Sequence, residues 1–283
     1  MDPEFRTPDL TGFLSRPTEP ELELPRLFQR DAALTIFDIG ACEGEDSIRY
    51  SKLYPRSHVY TFEPLPENQA LVLEHFKHYQ IENAELVSCA LANETGTAEF
   101  HVSSGKPPHL FEGENWNYGN KSSSLLSPAS NEPMFGWIEF KKAITVSCKT
   151  LDEFCQERNI RCIDFIHMDV QGAETLVLQG ASLMLNNITA IWLEVSEQRL
   201  YQGQGLRSEV EKIMKDAGFI LAFQSLREIE GDQFYVNRRD PRALAYLAKR
   251  KTHHLASLIK RKLGGIKRRS IKLLRRNSEN EAR

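Results

Sequence analysis

With 283 residues, 41% of them hydrophobic, the chain can build one sizeable core, or a core plus an extension. Five cysteines without a CxxC pair argue against a disulfide framework or a zinc site, and no apolar run approaches the ~18 residues that span a bilayer, so a cytoplasmic protein with inert thiols is expected. The net charge of −3 is unevenly spread: residues 241–283 hold 14 of the 36 Lys and Arg but 2 of the 39 acids, near +12, leaving an acidic body near −15.

Residues 1–33, rich in Pro and Glu, read as an N-terminal arm with one short helix, and "MDPEFRTPDL" lacks the basic-then-apolar pattern of a leader. From 34 to 240 short apolar runs alternate with helical patterns. Strands are predicted at 34–39, 58–63, 85–89, 163–169, 188–195, 219–224 and 232–237, and helices at 45–53, 67–79, 173–185 and 206–217. Strands that feed helices imply a mostly parallel sheet with helices on both faces. "LREIEG", between the last two strands, is too short for a helical crossover and predicts an antiparallel hairpin. This α/β, Rossmann-like pattern, a seven-stranded sheet ending in a hairpin, resembles the class I fold of S-adenosylmethionine-dependent methyltransferases. Between 96 and 150 the rhythm breaks: "TAEFHV" and "ITVSC" suggest an added strand pair, and 103–137 an inserted loop or lid.

The first strand runs into "FDIGACEGEDS", where Asp38, Gly40 and Gly44 form D-x-G-x-x-x-G. A dinucleotide site needs a middle glycine where Cys42 stands. Glu43, Glu45 and Asp46 suit a helix N-terminus but would repel a pyrophosphate, and no P-loop Gly-Lys-Ser/Thr follows. S-Adenosylmethionine carries no phosphate. Asp38 can help hold its ammonium, while Gly40, Ala41 and Gly44 allow the backbone to come close. Glu63, at the end of the second strand, is placed to accept both ribose hydroxyls, with Pro64 and Pro66 stiffening its turn. Cys89 and Ala90, after the third strand, fall beside the adenine.

The second constellation is "CIDFIHMDVQGAETLVLQGASLML". Strand alternation puts Phe165, His167 and Asp169 on one face, with Asp169 and Gln171 at the cofactor. Glu194, in "WLEV", ends the next strand at a similar height. "FDIGACEGEDS", "FEPLPEN", "SSSLL", "VSCKTLDEF", "DFIHMDVQGAETLVLQGA" and "WLEV" occur in the order seen in the FkbM family of methyltransferases, which the chain resembles from Leu34 to Asn237. The resemblance implies an S-adenosylmethionine-dependent O-methyltransferase acting on a hydroxyl, of a sugar in a glycan or glycolipid or of a natural product. His167 departs from it, standing where the family often has Lys; it is either a base, as a neutral imidazole near pH 7, or a packed strand residue. Asp169 is the first choice for a base, followed by His167 and Glu194. Asp169 and Glu194 lack a clear third partner for a metal, so none is expected.

Phe111, Trp116, Tyr118, Phe135 and Trp137 dot the long loop, either to stack on sugar faces or to anchor the loop. "KSSSLL" brings Ser122, Ser123 and Ser124 toward the cleft. In the tail, Leu255, Leu258, Ile259 and Leu263 recur near helical spacing among basic residues, which suits peripheral contact with an anionic membrane. A nucleic-acid partner is disfavoured by the acidic body and by "DVQG" in place of an N-P-P-Y type motif. A non-catalytic binding module that kept the fold is the third possibility.

Overall fold

The computed structural model describes residues 10–106, 118–130 and 134–250. In chain order these form α1 (Thr11–Leu14), α2 (Glu19–Leu27), β1 (Thr35–Ile39), α3 (Glu45–Leu53), β2 (His58–Phe62), α4 (Pro66–His78) and β3 (Ala84–Val87). A smaller unit follows: β4 (Ala90–Leu91), β5 (Gly96–Ser104), a 3-10 turn (Tyr118–Ser122) and β6 (Glu139–Lys149). The main sheet resumes with α5 (Leu151–Glu157), β7 (Ile163–Met168), α6 (Glu174–Gln179), β8 (Ile188–Ser196), α7 (Arg207–Asp216), β9 (Phe219–Leu226) and β10 (Glu230–Asn237). Residues 241–250, here α8, are helical.

Among the described residues the main sheet has seven strands in the order β3-β2-β1-β7-β8-β10-β9. Pairing is parallel from β3 through β8, and β10 runs antiparallel to both β8 and β9. The chain order reverses between β1 and β7, the crevice where open α/β sheets bind ligands. The expected hairpin and the expected strand pair are both present; β5 and β6 pair antiparallel, and β4 joins β6 in a three-stranded sheet.

Period-two alternation divides β1 between two cores. Phe37 and Ile39 enter the cluster under α5, α6 and α7, whereas Ile36 enters the one under α2, α3 and α8. Phe37, Phe62 and Phe154 meet with ring centroids 4.8–5.7 Å apart in the first. Losing one such ring to Ala costs about 3–5 kcal/mol. The second unites Leu24 and Phe28, Tyr50 of α3, Phe165 of β7, and Ala243 and Tyr246 of α8. Both chain flanks therefore share a core with the sheet. Arg49, 3% exposed, fixes the first flank: its guanidinium donates to Phe13 O (2.6 Å), Arg16 O (2.8 Å) and Glu21 (2.6 Å). Tyr246 and Arg250 reach Glu23 of α2, each at 2.6 Å.

Two local expectations need revision. The helix expected over 173–185 is α6 followed by a separate 3-10 turn (Met184–Asn187). Gly180 lies so close to Ala92 that a Cβ there would meet its carbonyl oxygen at 2.0 Å, so the chain turns to pack. α5 was not among the expected helices, yet Thr150 accepts from Glu153 N (3.1 Å), and "TLDE" is a capping sequence.

Candidate active site

The turn after β1 is sewn between its neighbours. Gly40 N and Ala41 N donate to Phe62 O at 3.1 and 3.0 Å, and Asp169 N donates to Ile39 O at 3.0 Å. Gly40 has φ +83°, and a Cβ there would lie 1.9 Å from Asp169 O. Its glycine thus serves the approach of β1 to the β7 loop, and Gly40 also borders the space in front of the turn. Gly44, at φ +80°, caps α3, where a Cβ would press Val72 at 3.3 Å. Cys42 (φ 50°) and Gln171 (φ 52°) hold left-handed backbone without being glycine, a strain that concentrates at functional sites.

Beyond this turn lies a cleft of about 510 Å³, counting space open to solvent, bordered by Glu63, Pro64, Asn68, Ala90, Lys121 and Asp169. Glu63 is 4% exposed. It accepts from Cys42 N (2.9 Å) and Leu65 N (2.8 Å). Burial pushes its carboxyl up to about 8, against the pull of those two N–H groups. Asn68 also pulls on it; a carboxylate has about four acceptor positions, and what remains can meet a ribose hydroxyl. Ala90 borders the cleft as expected. Cys89 does not: it lies in the bend between β3 and β4 and is 4% exposed in the core cluster with Phe37 and Phe62.

A second cavity of about 380 Å³ adjoins the first and shares Gly40, Cys42, Lys121 and Asp169 with it. Asp38, Glu45, Asp46 and His167 also border it. Asp38 accepts from Ser47 Oγ (2.6 Å) and faces His167 Nδ1 (3.1 Å). Burial opposes charge on His167, but the bond to Asp38 and the charges of Asp46, Asp38 and Asp169 prevail and lift it to about 9. This setting favours the cation, with Nδ1–H donating to Asp38, over the neutral imidazole considered from the sequence. Burial also raises Asp46 to about 6.

Gln171, which borders the first cleft, donates from Nε2 to Asp169 Oδ1 at 2.6 Å and lies 3.4 Å from Glu194 Oε2. The two sequence-selected carboxylates are therefore brought together by a third selected residue. Burial raises Asp169, with Gln171 and His167 opposing the rise. Glu194 stands well above the usual range, through burial and then the charges of Asp169 and Glu230. Tyr201 donates to Ser122 O (2.7 Å) and lies 3.3 Å from Gln171 Oε1. Among the described residues no group of three or more His, Cys, Asp or Glu is placed to hold a metal ion.

The serines of "KSSSLL" tie the loop down. Ser122 N donates to Ser103 Oγ (3.1 Å), Ser103 N to Ser123 Oγ (3.0 Å), and Ser124 Oγ to Gln171 O (2.8 Å). Ser123 borders the cleft. The sequence reading missed Asn68, Asn120, Lys121 and Tyr201; for Lys121 the signal was at hand, one residue before the serines. Phe135 is 52% exposed, while Phe111, Trp116 and the tail positions Leu255 to Leu263 lie outside the described residues.

Residues 38–221 match the methyltransferase FkbM domain. The chain belongs to the FkbM methyltransferase family. It is 32% identical over 205 residues to the 2-O-methyltransferase NoeI of Sinorhizobium fredii, covering 72% of this chain and 79% of NoeI. Methyltransferase 1 of Beauveria bassiana is 24% identical over 147 residues, 51% of this chain and 57% of that protein. Among solved structures, a SAM dependent methyltransferase from Aquifex aeolicus is similar with a TM-score of 0.40 and 16% identity, covering 79% of this chain and 95% of that one. As an FkbM methyltransferase the protein is an enzyme that uses S-adenosylmethionine. The residues present fit that cofactor: buried Glu63 suits a ribose, and the second cavity offers both cations and carboxylates for an amino-acid group.

Proposed function

We propose that the enzyme methylates a hydroxyl oxygen of a sugar, in a glycan or glycolipid. The observation that supports this most is Asp169 and Gln171 side by side on the cleft wall, with Gln171 linking Asp169 to the carboxyl of Glu194 behind it, a set of polar groups for a polyhydroxylated molecule. A relative at 32% identity is named as a 2-O-methyltransferase.

Bound S-adenosylmethionine supplies a methyl group already activated on a sulfonium. The chain's part is to orient an acceptor oxygen and remove its proton. Asp169 takes that proton; the His167 cation and the Gln171 amide oppose the rise that burial gives it. Glu194 keeps its own proton and donates it to a neighbouring oxygen of the acceptor. Two carboxyls with different environments thereby take two roles. His167 acts as a fixed cation between Asp38 and Asp46, the charge that a Lys would supply, and not as the base. Asp38 holds His167 and contributes charge to the subsite of the cofactor's ammonium; Glu63 binds the ribose. The test is mass spectrometry of oligosaccharide and glycolipid acceptors incubated with enzyme and cofactor. A gain of one methyl on a ring oxygen supports the proposal; methylation restricted to nitrogen, or to acceptors without a sugar, refutes it.

For location we propose peripheral contact of the basic tail with an anionic membrane. α8 brings Lys249 and Arg250 to the surface beside Arg26, and 11 more Lys and Arg follow in 251–283. No helix among the described residues is long and apolar enough to cross a membrane. Sedimentation with phosphatidylserine vesicles at low salt, lost on truncation after 250, is expected; equal sedimentation of the truncated protein refutes it.

A further inference from the structure

We infer that Glu43 and Asn120 are positioning residues for the cofactor cleft, joined as a carboxylic acid and an amide: Glu43 keeps its proton and donates it to Asn120 Oδ1, which fastens the 3-10 turn (Tyr118–Ser122) to the turn after β1. The role in binding rests on S-adenosylmethionine occupying the cleft; the pairing itself does not. Asn120 borders the cleft, and Glu43 lies behind it, fully buried.

Hydrogen-bond direction is fixed from Glu63 inward. The Asn68 amide turns its nitrogen toward Cys42 Sγ (3.8 Å) and the Glu63 carboxyl. Its Oδ1 is therefore free to accept from Asn120 Nδ2, at 2.9 Å. The same Asn120 nitrogen donates to Glu43 Oε1 at 3.3 Å. Both hydrogens of the Asn120 amide thus go to acceptors, and reversing the amide would set its oxygen against them. Two atoms are left over: Asn120 Oδ1 and Glu43 Oε2 are buried with no hydrogen-bond partner among the described residues. An amide oxygen cannot donate, and neither can an ionised carboxylate. A single proton on Glu43 Oε2 gives one of them a donor and the other an acceptor, and burial makes two orphaned acceptors the costlier arrangement.

The charges around Glu43 agree with a neutral acid. Lys121, from the 3-10 turn, pairs directly with Glu45 of α3. His75 of α4 presents Nδ1 to the Glu43 carbonyl at 2.8 Å, so its bond goes to backbone and not to the carboxyl. Burial keeps Cys42, in the same turn, a thiol. Burial also raises the Glu43 carboxyl, with Lys121 opposing. For Glu45 burial is outweighed by Lys121, and its carboxyl is lowered. One cation, one carboxylate and one acid make a balanced set; a second carboxylate would leave a buried charge in excess. The serines fix the far end of the 3-10 turn on β5, and Glu43 fixes its middle, where Asn120 walls the cleft.

The experiment joins infrared spectroscopy to calorimetry, on the full chain at pH 7. Subtracting the spectrum of Glu43→Gln from that of wild type should leave a protonated carboxyl band, and in Asn120→Ala that band should move toward the frequency of an acid without an acceptor. Gln offers Asn120 a donor and an acceptor in the places of the acid, whereas Ala offers neither. The Kd of S-adenosylhomocysteine should therefore be at least fivefold higher for Glu43→Ala, and for Asn120→Ala, than for Glu43→Gln. A difference spectrum that shows an ionised carboxylate instead means that Glu43 is charged, and overturns the inference. Equal affinities of Glu43→Gln and Glu43→Ala mean that the pair does not position the cleft, and overturn it too. Wild type that fails to bind S-adenosylhomocysteine overturns the cofactor placement, and the infrared band then decides the pairing alone.

Discussion

Replacing Glu63 by Gln removes a carboxylate that the fold holds at a cost. Its carboxyl is raised from 4.5 to about 8, chiefly by burial. The folded chain therefore binds the extra proton between those values, and the unfolded chain does not. Stability is lost as pH rises from 4.5 through 8 and is constant above. At 1.36 kcal/mol per unit the loss is about 1 kcal/mol at pH 5 and about 4–5 kcal/mol above pH 8. Gln has one acceptor oxygen for the two N–H groups of Cys42 and Leu65, which gives back about 1–3 kcal/mol. Cofactor-free Glu63→Gln is expected to be more stable than wild type by about 2–3 kcal/mol at pH 8.5, and no more stable at pH 5. Urea denaturation at the two pH values, with thiols reduced, measures this. The same variant should bind S-adenosylhomocysteine at least tenfold more weakly, since hydrogen bonds to a charged group are worth about 1.5–3 kcal/mol. Stability curves that stay parallel across the pH range would refute the burial argument. Unchanged binding would remove Glu63 from the ribose site.

Gly40→Ala should destabilise by more than 3 kcal/mol, on the order expected for a forced backbone clash, because its Cβ meets Asp169 O at 1.9 Å; a thermal shift of only a degree or two would contradict the close approach. His167 is raised from 6.5 to about 9, so the stability it adds is complete below 6.5 and lost as pH rises through 9. His167→Gln should accordingly cost about 3 kcal/mol at pH 6 and much less at pH 10, and an equal cost at both would show that no charge is involved. Arg49→Met frees the carbonyls of Phe13 and Arg16 and leaves Glu21 without its cation. It should expose the first flank, so that chymotrypsin cuts after Phe13 at least tenfold faster; an unchanged cutting rate would mean that this flank is held by apolar packing alone.

The main sheet was legible because its signals are local. Each strand is a short apolar run, and "LREIEG" can only be a hairpin connection. Asp38, Glu63 and Asp169 were legible for the same reason: the ends of parallel strands gather at one edge, so position along a strand fixes position in space. What sequence hid was contact across the fold. Gly40 borders the cleft as its motif implied, but the backbone it must also clear is that of Asp169, 129 positions later. Cys89 was placed by its distance from a strand end, but it falls in the bend between β3 and β4 and joins the core. Lys121 and Asn120 reach the cofactor turn only because Ser122 to Ser124 clamp their segment to β5 and to the loop after β7. Tyr201 closes the same cluster from a loop with no periodicity. The charge on His167 likewise follows from Asp38 and Asp46 arriving from β1 and α3, which composition around "FIHMD" does not reveal.

The most direct test of the account is a crystal structure of the protein with S-adenosylhomocysteine. The account predicts the ribose hydroxyls on Glu63 and the thioether sulfur facing Asp169. A ligand bound with its sulfur turned away from Asp169, or bound elsewhere on the sheet edge, would contradict the assignment of this cleft as the site of methyl transfer.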